Sequence, residues 1–310
     1  MSEQKTKYDI IVIGAGPAGY TAGIYSSRAR RDTLLISGIL PGGQLMNTTD
    51  VENYPGFDEG IMGPDLMIIM RKQAEKMGTK IIDDEVVSVD FKSKLLKVST
   101  ASSTFEANSV IVCTGANPRK IGLDGEQAFA GKGVSYCATC DGAFFKNQEL
   151  IVVGGGDSAM EEATFLTKFA STVHIVHRRD EFRASKIMQE RALSNEKIKV
   201  HFNCTVEDIQ GDQKFQKVIL KNVKNDEVIT LEAGGLFVAI GHEPNSKILE
   251  GRVELDENGY VVLKNNTETS IPGVFCAGDV HDHRYRQAVT AAGFGCMAAI
   301  DADKYLAEQK

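Results

Sequence analysis

The chain carries the same kind of turn twice. Tyr8–Ile13 is a continuous apolar run, as suits a parallel strand buried on both faces, and it leads straight into Gly14-Ala15-Gly16-Pro17-Ala18-Gly19. Glu149–Val153 is a second such run, followed by Gly154-Gly155-Gly156-Asp157-Ser158-Ala159. Each turn opens a segment of helical periodicity, with Ala18, Ala22, Tyr25 and Ala29 on one stripe in the first and Ala159, Ala163, Leu166 and Ala170 in the second. In a strand, G-x-G-x-x-G/A, helix unit the glycines allow a tight turn and let a pyrophosphate approach the helix N-terminus, whose free N–H groups favour an anion. Pro17 takes an early helical position, where a missing N–H costs little. One such turn is weak evidence. Two of them, with Gly154 lying 140 residues after Gly14 in a chain of 310, predict an α/β protein with two Rossmann-like dinucleotide-binding domains.

Further contacts follow from what surrounds the first turn. The next strand, Thr33–Ile36, ends at Ser37, where an acid would normally hold a ribose hydroxyl, so that contact is left unassigned. Ser37, Gly38, Gly42, Gly43, Gln44 and Leu45 belong to a Gly-rich loop expected to lie against a flat ligand, with Gln44 supplying hydrogen bonds. Asn53, in the turn Asn53-Tyr54-Pro55-Gly56, is a further expected contact. A helix is predicted from Pro64 to Gly78 with Leu66, Ile68 and Ile69 apolar, and Ile81–Phe91 and Leu95–Val98 read as strands of a small antiparallel sheet. Ser109–Cys113 is another buried strand, ending in Thr114-Gly115-Ala116. Near the C-terminus, Gly278-Asp279 follows an apolar strand, where the carboxylate suits the hydroxyls of a flavin's ribityl chain. Arg286-Gln287-Ala288 then opens a long helix with Ala291, Gly295, Ala298 and Ala302 on one small face. Its N-terminus would stabilise negative charge on a reduced flavin ring.

The second turn is followed by a different chemistry. The strand Thr172–Val176 ends in His177-Arg178-Arg179, with Arg183 four residues on. Arginines in this place favour the 2′-phosphate of NADP through bidentate, charge-assisted hydrogen bonds. Ser158 can donate to a phosphate, and His177 stacks or covers. With Gly154, Gly156, Asp157 and Ala159, and with Ile240 and Gly241 at the end of the strand Leu236–Ile240, these residues form the expected NADPH set. Val218–Val223 and Glu227–Leu231 read as a hairpin. Asn117-Pro118 and the loop Gly241–Asn245 are the expected crossings, which makes 1–117 with 247–310 one discontinuous domain and 118–246 an insert.

Between the turns lies Cys137-Ala-Thr-Cys140-Asp141. Two cysteines so spaced can close a small disulfide, whereas a metal site would need a second knuckle, which Cys113, Cys204, Cys276 and Cys296 do not form; no metal is expected. Asp141 places a proton acceptor and donor beside the second sulfur. Met1–Lys7 is short and polar, and the apolar run after it ends at a glycine turn, so neither an export signal nor a membrane span is expected. A cytoplasmic location follows as the expectation, and there a C-x-x-C is catalytic rather than structural. Hydrophobic content of 42%, charged content of 25% and a net charge of −7 fit a soluble protein and give no reason to propose nucleic-acid binding.

Taken together, G-A-G-P-A-G, G-G-Q-L, C-A-T-C-D, G-G-G-D-S-A, H-R-R-D-x-F-R-A and A-G-D-V…Y-R-Q-A resemble, over nearly the whole length, the bacterial-type, low-molecular-weight NADPH-dependent thioredoxin reductases. The resemblance implies FAD in the first domain, NADPH in the second, and a homodimer. It implies that electrons pass from NADPH through FAD to the Cys137–Cys140 disulfide and on to thioredoxin. By the same resemblance Cys140 faces the flavin, Cys137 attacks thioredoxin and Asp141 handles the proton. The resemblance also suggests docking of thioredoxin near Lys132 and Phe144–Phe145, with core packing as the other reading of the phenylalanines. Ala143 stands where the family can carry an aromatic residue. Because disulfide and NADPH share one domain, they are expected to reach the flavin in turn, by a swing about crossings near Gly115–Arg119 and Gly241–Lys247. Two alternatives stay open: a related flavoenzyme serving another disulfide carrier, and a nucleotide-binding redox sensor without turnover. The intact Cys137, Cys140 and Asp141 speak against the second.

Overall fold

The computed structural model describes residues 5–39 and 41–309; the start of the polar N-terminus, Leu40 of the Gly-rich loop and Lys310 lie outside them. The chain forms two compact units, Met1–Asn117 with Glu243–Lys310, and Pro118–His242.

Unit 1 is built on a seven-stranded sheet. Its strands run in the order Lys80–Ile82, Thr33–Ile36, Lys7–Ile13, Thr104–Val112, Leu96–Thr100 and Val86–Asp90, and Val274–Cys276 also pairs with Thr104–Val112. Lys7–Ile13 is central and parallel to both neighbours, with Ile10 opposite Thr33 on one side and Ser109 on the other. Ile10, Ile11 and Val12 are completely buried, which is why the strand reads as unbroken apolar sequence. Helices Pro17–Arg28, Gly63–Met77 and Ala288–Glu308 supply one core, where Tyr20, Leu66, Met67 and Ala298 meet Ile10 and Val12. The first and last of these helices touch backbone to backbone, since a Cβ on Gly295 would stand 2.2 Å from the Ala18 carbonyl oxygen. The small face Ala291, Gly295, Ala298 and Ala302 is therefore buried.

Unit 2 repeats the scheme. A parallel sheet runs Val134–Ser135, Gly235–Val238, Glu149–Val153, Thr172–His177 and Ile198–Phe202, with helix Asp157–Leu166 packed on one face through Ala159, Met160, Ala163 and Leu166. Against the other face lies an antiparallel sheet of Cys204–Gly211, Phe215–Asn222 and Val228–Glu232, joined to it through Ile151, Val176, Phe215 and Leu220.

Four expectations need correction. In the first helix Tyr25 is 43% exposed and Ala29 lies beyond the helix end; the buried set runs from Ala18 to Ile24 without a narrow stripe, because sheet and two helices enclose it. In helix Gly63–Met77 the buried positions are Gly63, Leu66, Met67, Met70 and Ala74, while Ile68 and Ile69 are exposed. The run 81–91 is two strands: Lys80–Ile82 is parallel to Thr33–Ile36, and only Val86–Asp90 joins Leu96–Thr100 in an antiparallel pair, itself part of the large sheet. The second junction falls at His242/Glu243 rather than 246/247. Asn245 donates from its backbone to Gly115 O (2.9 Å) and from Nδ2 to Thr114 O (2.9 Å), and Ser246 donates to Gly259 O, so 245 and 246 are fastened into unit 1.

Candidate active site

Unit 1 gathers the first set of predicted contacts. Gly14 has φ +103°, and a Cβ there would stand 2.3 Å from Cys113 O, so this turn accepts only glycine. A Cβ on Gly16 would meet nothing within 4 Å: the helix cap is bare toward the open side. The Gly-rich loop closes over the turn, with Gly42 N donating to Ala15 O at 3.0 Å and Gly43 close to the Gly16 backbone. Gln44 donates to Asn117 at 2.6 Å. Gly278 packs on Ala18, and Asn53 donates to Gln287 at 3.3 Å across 234 residues of sequence. Arg286 has φ +48° and Gln287 caps helix Ala288–Glu308. Thr114 Oγ1 and Asp279 Oδ1 are buried and lack a hydrogen-bond partner among the described residues. Burial pushes the Asp279 carboxyl up to about 7; neighbouring Asp282 adds to this and Arg286 opposes it. Gly38, Gly115 and Ala116 line the same strand ends, where the two glycines have positive φ.

Unit 2 gathers the second set in the same form. A Cβ on Gly154 would stand 2.3 Å from Ala239 O, Gly156 is open, and Ala159 is fully buried where the helix meets the turn. The arginine loop is tied to the turn by its backbone, because Gly155 O accepts from Arg183 N (2.8 Å) and Ala184 N (3.1 Å). Asp157 does not face outward unengaged: Oδ1 accepts from Ser185 N (2.7 Å) and Ser185 Oγ (2.9 Å), which locks the far end of that loop. The His177 ring lies against Gly155, where a side chain of any size would strike it. Burial, then the cationic Arg183, Arg179 and Arg178, lower its pKa against a backbone acceptor at Glu181, so the ring is neutral and covers rather than charges the turn. Arg178, Arg179 and Arg183 are exposed and form no ion pair among the described residues, while Asp180 between them is paired with Lys224 at 2.8 Å. Three arginines without an ion pair among the described residues thus sit in the loop that Gly155 ties to the open turn. Ser158 stands at the helix start, and Gly241, after Ile240, has φ +102° and accepts from Arg119 N.

The redox pair is closed. Cys137 and Cys140 form a disulfide across a Cα–Cα distance of 5.3 Å, within the short helix Ala138–Asp141 that Cys137 caps. Cys140 N donates to Cys137 Sγ at 3.2 Å, a contact that would favour a thiolate there after reduction. Burial raises the Asp141 pKa, and the Ser135 hydroxyl partly offsets the shift. Ser135 also accepts from Cys137 N at 3.0 Å, so one hydroxyl orders both ends of the motif. Cys113 and Cys276 are buried, and burial pushes their thiols up and leaves them inert.

Two bare dinucleotide turns and a closed C-x-x-C disulfide thus occur together in this chain. The family model for pyridine nucleotide-disulphide oxidoreductases matches residues 8–295. The thioredoxin reductase of Streptomyces clavuligerus is 54% identical over 302 residues, covering 96% of this chain and 94% of its own. The structure of thioredoxin reductase from Giardia duodenalis superposes with a TM-score of 0.94 at 44% identity, covering 98% and 100% of the two chains. That of Lactococcus lactis thioredoxin reductase, in its FR conformation, gives 0.66 at 43% identity, covering 97% and 99%.

The chain belongs to the pyridine nucleotide-disulphide oxidoreductases, within the thioredoxin reductase family. It is an NADPH-dependent FAD flavoprotein disulfide oxidoreductase. The residues present fit both cofactors. Gly16 and Gly156 leave backbone bare where a pyrophosphate needs it, and the orphaned Asp279 and Thr114 oxygens await polar partners in unit 1. The oxidoreductase reading also draws in residues that sequence reasoning passed over. Gly155 was legible as the middle of three consecutive glycines, and Ser135 as a hydroxyl two residues before Cys137. Asp83, which accepts from Ser37 at 2.8 Å, had no sequence signal at all.

Proposed function

We propose that the protein is a thioredoxin-disulfide reductase. The observation that carries this reading is the closed Cys137–Cys140 disulfide beside a carboxyl whose pKa burial has raised, in the unit that also carries the arginine-rich nucleotide turn. FAD, when bound, accepts a hydride from NADPH and delivers two electrons to a disulfide. Gly14, Gly16, Pro17, Ala18, Ser37, Gly38, Gly42–Leu45, Asn53, Thr114–Ala116, Gly278, Asp279 and the helix start Arg286–Ala288 would hold it. Gly154–Ala159, His177, Arg178, Arg179, Arg183, Ile240 and Gly241 would hold NADPH. Two electrons break the Cys137–Cys140 bond and leave two sulfurs, of which one takes a proton from Asp141. The Cys137 thiolate then attacks the substrate disulfide and expels one thioredoxin sulfur. Cys140 returns its proton to Asp141 and attacks Cys137, which re-forms the Cys137–Cys140 bond and expels the second. The two expelled thiolates take one proton from Asp141 and one from solvent to give the dithiol. NADPH oxidation with an oxidised thioredoxin as sole acceptor tests the assignment. Turnover with another disulfide carrier and none with any thioredoxin would overturn it.

Thioredoxin docking is read onto the rim of the motif. Lys132, Phe144, Gln148, Lys214 and Gln216 line a cavity of about 620 Å³. Phe144 is 42% exposed, whereas half-buried Phe145 packs edge-on against the core residue Phe237 at 5.5 Å. Phe144→Ala should raise the KM for thioredoxin several-fold and leave reduction of a small disulfide dye unchanged. Equal loss of both activities, with a lower melting temperature, would mean that Phe144 only packs.

The two half-reactions are proposed to alternate by a swing of one unit against the other. Gly115 and Gly241, at positive φ near the two crossings, can absorb the backbone change. A cross-link between the units should stop turnover and spare one half-reaction; full turnover in a verified locked enzyme would rule the swing out. A homodimer in the cytoplasm completes the reading. It is supported by the exposed apolar side chains Ile68, Ile69, Met297 and Ile300 on helices of unit 1 and by four cysteines held as free thiols. Light scattering checks the dimer. Among the described residues no helix is long and apolar enough to cross a membrane.

Asp279 adds a pH dependence. Its folded-state pKa of about 7 lies above the unfolded value of 3.8, so it favours the fold of the cofactor-free protein at low pH and ceases to do so as pH rises to about 7. A hydroxyl donated to its carboxylate favours the ionised form. FAD affinity should therefore rise with pH from about 5 to about 7, with proton release on binding, and Asp279→Asn should flatten the profile. Calorimetry in buffers of different ionisation enthalpy reads the proton count; an unchanged profile in the variant would exclude Asp279.

A further inference from the structure

An acid is missing where the first dinucleotide unit would normally carry one. In a Rossmann unit the residue ending the second strand accepts from a ribose hydroxyl. In unit 2 arginines stand there, which suits a ribose that bears a phosphate. In unit 1 the strand Thr33–Ile36 ends in buried Ser37, a residue with neither charge, yet the adenosine ribose of FAD presents free hydroxyls.

The neighbouring strand brings what this one lacks. Lys80–Ile82 runs parallel to Thr33–Ile36 with Ile36 opposite Ile82, so Ser37 and Asp83 leave the sheet side by side. Ser37 Oγ donates to Asp83 Oδ1 at 2.8 Å. Arg71, on helix Gly63–Met77, donates Nη1 to Oδ1 at 2.7 Å and Nη2 to Oδ2 at 3.0 Å. Arg71 is steadied in turn by Glu75, at 3.1 Å from Nε, and by the buried Tyr20 hydroxyl. The Asp83 side chain is thus gripped from two sides and still 51% exposed. A carboxylate offers about four acceptor sites, and these three bonds leave it capacity for a further donor. The guanidinium fork keeps the group ionised, as its lowered pKa reflects. The backbone at Gly38, immediately after Ser37, has no atom near the position a Cβ would take.

We propose that Asp83, set in place by Ser37 and Arg71, is the acceptor for the adenosine ribose hydroxyls of the dinucleotide in unit 1, replacing the acid that the second strand lacks. The proposal rests on reading unit 1 as the FAD site. Its rival is a plain structural clamp that fastens helix Gly63–Met77 to the sheet edge.

Apo-protein is titrated with FAD and with an FAD analogue lacking the 2′- and 3′-hydroxyls of the adenosine ribose, and flavin fluorescence gives the dissociation constants. The wild type should bind FAD about tenfold more tightly than the analogue, the worth of one hydrogen bond to a charged group. Asp83→Asn should weaken FAD about tenfold and leave the analogue unchanged, so that the two ligands bind alike. Ser37→Ala, which keeps the carboxylate and removes one support, should shift the ratio the same way by less. Equal weakening of both ligands, accompanied by a lower apo melting temperature, would make Asp83 a clamp and overturn the proposal, as would a wild type indifferent to the hydroxyls. A wild type that takes up neither flavin would instead overturn the flavin assignment of the unit.

Discussion

Cys137→Ser and Cys140→Ser each abolish thioredoxin reduction while NADPH still bleaches the bound flavin. The hydride reaches the flavin before either sulfur acts, so removing a sulfur interrupts only the later half of the sequence. Neither remaining thiol can replace the pair, because two-electron storage needs the bond between them. Cys113, Cys204 and Cys276 do not substitute, because they are buried and their raised pKa values keep them as thiols. Stopped-flow absorbance separates the steps, with flavin reduction at near wild-type rate and no subsequent NADPH consumption on adding oxidised thioredoxin. Near-normal thioredoxin reduction in either variant would falsify the assignment of the redox pair.

The second large effect is on cofactor choice. Arg178 and Arg179 follow the strand Thr172–His177, exposed and without an ion pair among the described residues, and of the two acids before Arg183, Asp180 is paired with Lys224. An incoming 2′-phosphate therefore meets arginine side chains with no ion pair to break. At about 1.5–3 kcal/mol for each charge-assisted hydrogen bond, losing two lowers the preference for NADPH over NADH by roughly two to four decades. Arg178→Ala/Arg179→Ala should raise the KM for NADPH and leave NADH use little changed, because NADH offers these arginines no phosphate. The ratio of kcat/KM for the two cofactors reads the effect. A parallel loss with both cofactors would indicate that the loop has lost its shape. That outcome is guarded against by the backbone bonds from Arg183 and Ala184 to Gly155 and by the Asp157–Ser185 lock, none of which involves the truncated side chains.

Much of the candidate site was legible in the sequence because its requirements are local. A turn in which a Cβ would strike Cys113 O or Ala239 O must be glycine whatever surrounds it, and Gly14 and Gly154 announce themselves in that way. The same holds for Cys137 and Cys140, whose separation by itself permits the bridge that the structure contains. Helix faces were less legible. Ile68 and Ile69 read as core residues beside Leu66, but Met67, Met70 and Ala74 point to the sheet and the isoleucines do not. A run of adjacent apolar residues does not name its own inner side; the neighbouring elements choose it.

By itself, then, the sequence determined the two dinucleotide turns, the redox pair and the cationic strand end, since each depends on residues a few positions apart. Tertiary structure decided which distant residues complete them. It set Asn53 against Gln287 and Asp83 against Ser37, and it buried Asp279 deeply enough to move its carboxyl to about 7. The physical reason is common to all three. Burial and charge pairing are properties of the space around a group, and that space is filled by segments whose place is set by strand order and helix packing rather than by proximity along the chain.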